Sequence, residues 1–173
     1  MTLAAHSDAG FANETKSRSR AGAHIFLSEN DSIPRWNGTI LTIAQIMRYV
    51  VSSAAEAETT ALFLTAKEMV PLQNNLTEMG WKQTPSPPQS DNSTTVGMTN
   101  STLIQKQSRS WDLQLNWLRC REAQGQFRTC WGKGPNNDGD YCTKHHPDIY
   151  HETKRSMGFA GYVFYPNMAC ISC

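Results

Sequence analysis

Apolar and polar positions change period several times along the chain, and each change marks an element. Residues 2–7 form a short apolar-rich run that predicts a strand carrying Asp8 at its end, before a polar, turn-rich segment over 10–20. Residues 21–28 and 39–51 read as two further strands, separated by the turn chemistry that begins Asn30-Asp31-Ser32. Three consecutive strands predict an antiparallel meander. Ser53, with Glu56 three residues later, matches a capping box, and a helix-forming stretch continues to about residue 70. Glu58, Ala61, Leu62 and Thr65 lie at the spacing of a core-facing stripe. A carboxylate on that stripe needs a compensating partner.

The second half is less regular. Residues 82–90 contain Pro85, Pro87 and Pro88, which by composition suggest a linker and a possible boundary, because prolines remove donors from a strand ladder. Asp91-Asn92-Ser93 opens a modest helix to about residue 102. Trp111, Leu115 and Leu118 mark a stronger amphipathic helix ending near Gly125. Residues 127–131 predict a last strand, and Asn137 caps a short helix with Asp140 in its first turn and Pro147 at its end. The reading divides the chain into a domain over 1–146 and a tail over 147–173 with aromatic weight but no clear period.

Composition narrows the class. The chain has 173 residues, of which 39% are apolar, enough for one α/β domain with a real core. Lys plus Arg number 16 against 15 Asp plus Glu, so any nucleic-acid contact must be local and not the work of a broad basic field. The cysteine number is odd, and the isolated Cys120, Cys130 and Cys142 are expected to be buried thiols in a reducing compartment. Cys142, His145, His146, Cys170 and Cys173 offer zinc donors, but the gap before Cys170 has no zinc-site spacing. The first residues lack the basic and apolar regions of a signal peptide. The most apolar stretch, 40–51, is broken by Gln45 and Arg48 and falls short of the ~20 residues a membrane span needs. An intracellular protein, cytoplasmic or nuclear and not secreted, is expected, with no membrane partner.

Four acids, Asp8, Glu58, Asp91 and Asp140, stand at or near the ends of these elements. Carboxylate oxygens are hard ligands suited to magnesium or manganese, and two such ions can hold the attacking and leaving oxygens of a phosphodiester. Each acid alone has a bland alternative: Asp91 as a helix N-cap, Asp140 as a first-turn acid favoured by the helix dipole.

The segments Ser7-Asp8-Ala9, Arg18-Ser19-Arg20-Ala21-Gly22, Ser52-Ser53-Ala54-Ala55-Glu56-Ala57-Glu58, Ser90-Asp91-Asn92-Ser93-Thr94 and Asp140-Tyr141-Cys142-Thr143-Lys144-His145-His146 together resemble the ribonuclease H domain of copia-type LTR retrotransposon polyproteins. The resemblance covers about the first 146 residues in the same motif order. It implies the ribonuclease H fold: a five-stranded mixed sheet with an antiparallel three-strand meander and helices on its faces. It implies that Asp8, Glu58, Asp91 and Asp140 bind two Mg2+ or Mn2+ ions, with Glu58 preferred to Glu56. It implies hydrolysis of the RNA strand of an RNA–DNA hybrid during reverse transcription, in a polyprotein fused to a reverse transcriptase and without a small-molecule cofactor. Ser52, Ser53 and Asn92, close in sequence to the acids, and Arg109, Arg121 and Lys133 are candidates for contacts to the hybrid. Pro88 and the pair Asp138-Gly139 depart from the family pattern. They favour an alternative, a catalytically impaired remnant that binds nucleic acid or protein, with a loose helix around Asp140.

Overall fold

The computed structural model describes residues 1–29, 38–101 and 109–157. Strand β1 (Thr2–Gly10) pairs antiparallel with β2 (Arg20–Ser28), and β2 pairs antiparallel with β3 (Thr39–Ile46), which is the expected meander. Helix α1 (Ala54–Glu78) follows, then β4 (Pro88–Ser90), α2 (Ser93–Thr99), α3 (Arg109–Ala123), β5 (Cys130–Trp131), two short 3-10 turns and α4 (Asp148–Met157). The strands lie in the order β3-β2-β1-β4-β5, with β4 parallel to both β1 and β5.

Side chains along β1 alternate between two covers, as the pleat requires. On one face Leu3 and Ala5 pack with Leu62, Ala66 and Met69 of α1, and the Thr65 hydroxyl donates to Ser7 Oγ at 3.3 Å. On the other face His6 and Asp8 meet the 3-10 turn Asp138–Cys142 and the residue after it. The predicted stripe of α3 is realised: Trp111, Leu115 and Leu118 are all buried.

Several boundaries differ from the sequence reading. Strand β1 continues past residue 7, so Asp8 lies within it opposite Gly22, because the ladder with β2 persists to Gly10. Strand β3 stops at Ile46: the Met47 amide donates to Ser19 O at 2.8 Å, and Met47 and Val51 turn inward against Ala57 and Ala61. Helix α1 runs on through Pro71, whose missing donor costs one intrahelical bond, while the next turn buries Gln73 and packs Leu72 and Leu76 on the core. Cys120 is exposed and Cys130 and Cys142 are half-buried, so none is the fully buried thiol expected. Cys120 lies two residues past Leu118, off the apolar stripe of its helix.

The proline-rich segment is no linker. It carries the strand between β1 and β5, and Pro88 stands at its first position, where proline is best tolerated. The missing donor coincides with a gap in the pairing toward β5, between the Ser86–Phe127 bridge and the Gln89–Cys130 pair. Pairing with β1 is kept at Ala5–Pro88 and His6–Gln89.

Pro147 opens a helix instead of ending one. It immediately precedes α4, and its carbonyl accepts from the Tyr150 amide at 2.9 Å. The first turn of α4 docks on the preceding 3-10 turn: His146 stacks on Tyr150 at 4.1 Å between centroids, and Tyr141 Oη lies 2.7 Å from His151 Nδ1. The boundary expected at residue 146 passes through this stack. No helix among the described residues is long and apolar enough to cross a membrane.

Candidate metal centre

The acids meet where β1 and β4 part. Strand β4 ends at Ser90 while β1 continues to Gly10, which leaves the β1 backbone beyond His6 without a strand on that side. Glu58, in the second turn of α1, fills the gap. Its Oε1 accepts from the Ala9 amide at 3.2 Å and its Oε2 from the Ser90 hydroxyl at 3.4 Å. Asp91, the residue after β4, is held at its carbonyl by Trp131 Nε1 at 2.9 Å. Ligand atoms of Asp8, Glu58 and Asp91 all lie within 4.8 Å of one another.

The capping chemistry separates these acids from their neighbours. Ser53 Oγ accepts from the Glu56 amide at 3.2 Å, and the Glu56 carboxylate accepts from Ser52 N at 2.7 Å and Ser52 Oγ at 2.6 Å. Glu56 is thus occupied at the helix start and Glu58 is the acid that reaches the centre. Asn92, not Asp91, caps α2: its Oδ1 accepts from the amides of Thr94 and Thr95 at 3.0 and 3.1 Å. Asp91 keeps its carboxylate for the cluster.

The fourth acid arrives on the 3-10 turn Asp138–Cys142, which is stitched to β1. Asn137 Nδ2 donates to Ser7 O at 2.9 Å while its Oδ1 accepts from the Gly139 amide at 3.2 Å, and the Asp138 amide lies 3.2 Å from His6 Nδ1. A Cβ on Gly139 would stand 3.0 Å from Asp8 N and from Ser7 C, so the glycine permits this close approach. The turn is therefore tied down at Gly139, where the sequence suggested looseness. Just beyond it, the Thr143 hydroxyl donates to Asp8 Oδ2. Asp140 itself stands outside the trio and pairs with Lys144.

Burial and mutual repulsion act together on these carboxyls. Burial first, then the charges of Asp8 and Asp91, push Glu58 up to about 9 against the two hydrogen bonds it accepts. Asp8 is pushed up to about 6, mainly by burial and further by Asp140 and Asp91, although the Thr143 hydrogen bond opposes the shift. Asp91 is raised by burial and by Asp140. A group of buried like charges of this kind holds either protons or a cation. All three ligands are hard oxygen donors, which fits Mg2+ or Mn2+. Zinc has no comparable site among the described residues: Cys142 Sγ lies 3.6 Å from His24 Nε2, and Cys170 and Cys173 fall outside those residues.

The remaining candidates are placed unevenly. Ser52, Ser53 and the Asn92 carbonyl are committed to helix caps. Lys133 is exposed and directly precedes Gly134, whose added Cβ would stand 3.1 Å from Asp91 Oδ2, so it belongs to the rim of the centre. Arg121 lies at the opposite end of the sheet: it bonds Gln126 at 3.2 Å and covers Trp117, and the Gln126 carbonyl is bonded by Gln73, about 22 Å along α1 from Glu58 at 1.5 Å per residue. Arg109 opens α3, but its side chain lies outside the described residues. Thr143 and Lys144 were given no role by the sequence reading, although the Asp140/Lys144 spacing is that of a helical ion pair.

No family model matches the chain, and no curated protein matches it in sequence. Solved structures do match in fold. LC11-RNase H1, isolated from compost by a metagenomic approach, superposes with a TM-score of 0.61 at 11% identity, over 82% of this chain and 92% of that one. The same protein in complex with an RNA/DNA hybrid gives 0.62 at 10% identity, over 82% and 94%. The N-terminal RNase H domain of Rv2228c from Mycobacterium tuberculosis, solved as a fusion with maltose-binding protein, gives 0.53 at 14% identity, over 83% and 96%. The fold is therefore ribonuclease H-like.

Proposed function

We propose that the protein is a divalent-ion-dependent endonuclease that hydrolyses the RNA strand of RNA–DNA hybrids. The observation that carries this reading is the trio of buried Asp8 and Glu58 with half-buried Asp91, whose ligand atoms lie within 4.8 Å of one another at the open end of a ribonuclease H-like sheet. A bound Mg2+ or Mn2+ supplies a lowered pKa for water and charge stabilisation for the departing 3′-oxygen. The chain's own residues do the rest. Asp8, fixed by Thr143, and Glu58, fixed by Ala9 and Ser90, present preset oxygens, and Asp91 closes the third side. Lys133 on the rim offers a charge for the hybrid backbone, and discrimination for RNA rests on the ribose 2′-hydroxyl.

The motif order from Asp8 to His146 supports a finer reading, that the domain over 1–146 descends from a copia-type retrotransposon polyprotein in which it acts beside a reverse transcriptase. Pro88 at a strand start and Gly139 in a close packing contact both suit their places, so neither supports an impaired remnant. The test is incubation of the purified chain with labelled RNA–DNA hybrid and Mg2+ or Mn2+, beside Asp8→Asn and duplex DNA. Hybrid-specific, metal-dependent cleavage lost in Asp8→Asn is the expected outcome. No cleavage by folded protein overturns the enzymatic reading.

A further inference from the structure

Asp140 differs from the other acids in the partner it already has. Its Oδ1 is ion-paired with Lys144 Nζ, one helical turn further along the chain. The backbone holds that turn, because the amides of Thr143 and Lys144 both donate to Asp140 O at 3.2 Å. Two neighbouring residues thus deliver a hydroxyl to Asp8 and an ammonium to Asp140. The positive charge also acts beyond its partner, favouring the ionised forms of Asp8 and Asp91. An ammonium and a divalent ion compete for the same carboxylate oxygens, and a tethered one suffers no loss of translational freedom on binding.

We propose that the Lys144 ammonium takes the second cation position of the centre, so that the chain holds one divalent ion, among Asp8, Glu58 and Asp91, with a tethered charge beside Asp140. This rests on the metal reading of the site and revises the two-ion expectation. A lysine cannot activate water as a divalent ion does, so its part is to neutralise Asp140 and to meet a phosphate oxygen of the bound strand. It is a positioning and binding group. Its side chain is 57% exposed, so replacing it leaves the core intact.

The experiment counts Mn2+ bound per chain at near-neutral pH, by titration with electron paramagnetic resonance of the free ion. The full chain is measured alone and with a hybrid made uncleavable by 2′-O-methyl riboses, and thermal unfolding verifies that each variant is folded. One ion for wild type under both conditions, one for Lys144→Arg and two for Lys144→Met is the expected pattern. Two ions for wild type with hybrid, or a single ion of unchanged affinity in Lys144→Met, overturns the proposal while leaving the metal reading intact. No ion bound to wild type overturns both.

Discussion

The two ends of α1 bury polar groups in opposite ways. At the far end Gln73 Nε2 donates to Ser86 Oγ at 2.6 Å and to Gln126 O at 2.8 Å, which joins α1 to the segment before β4 and to the loop before β5. The three groups in this network are neutral, and the donor is matched to its acceptors. At the near end Glu58 stands against Asp8 and Asp91, like charges whose hydrogen bonds do not offset their burial. A satisfied neutral network needs no ligand to explain it, whereas a cluster of buried carboxyls is stable only with protons or a cation. The contrast teaches where to look for chemistry, and it can be broken by experiment.

The largest effect is expected at the near end. Glu58→Gln keeps the shape and both hydrogen-bonding partners but removes the ligand charge, and hybrid cleavage should fall by roughly 10²–10³-fold, the scale of losing a group aimed at transition-state charge. Stability should move the other way. At neutral pH the metal-free variant should melt higher than wild type, because it no longer has to hold a proton against the solution. A lower melting temperature with cleavage intact would make Glu58 a structural residue like Gln73.

Gln73→Leu is the mirror experiment. It leaves Ser86 Oγ without its donor, while Gln126 O keeps the Ser86 amide at 3.0 Å, and an unsatisfied buried group costs about 1–3 kcal/mol. Denaturant unfolding should show that loss while Mn2+ affinity stays unchanged. Weakened metal binding would mean that the two ends are coupled through the helix.

Titration sharpens the comparison next. Glu58 is raised from 4.5 to about 9 and Asp8 from 3.8 to about 6 on folding. In those windows the folded chain keeps protons that the unfolded chain has released, so stability falls as pH rises through them and levels off above the folded values. The metal-free protein should therefore lose melting temperature between pH 5 and 9, Glu58→Gln should show a flatter decline, and saturating Mn2+ should oppose it. Metal uptake near pH 7 should release close to one proton, from Glu58, measurable by calorimetry in buffers of different ionisation enthalpy. A pH-independent melting temperature across that range would contradict the burial of Asp8 and Glu58.

What the chain revealed beforehand follows from the range of each interaction. The meander, α1 and the buried face of α3 have long periodic patterns, and the capping box read at Ser53 and Glu56 is local and present in the Ser52 and Ser53 contacts, in agreement with the preference for Glu58 that the resemblance implied. Strand β4 is only three residues long and rich in proline, so nothing local marks it; its parallel pairing is a tertiary fact. Gly139 read as a helix weakness because its value lies in the approach of residues far apart in sequence, 139 against Ser7 and Asp8. The Thr143 to Asp8 bond spans the whole domain in the same way and leaves no local trace.

The smallest effect separates two adjacent residues. Asn92 accepts from two amides at the start of α2, and removing such a cap costs about 1 kcal/mol, so Asn92→Ala should lower stability by that amount and leave the Mn2+ isotherm where it is. Asp91 accepts nothing at that cap with its carboxylate and is raised by burial and by Asp140. Asp91→Asn should therefore hold or raise the metal-free melting temperature and weaken Mn2+ binding. Opposite signs at neighbouring positions are hard to produce by general disruption of the loop. If Asn92→Ala instead weakened metal binding as much as Asp91→Asn, the cap and the ligand would be one device, with the start of α2 helping to aim the acid.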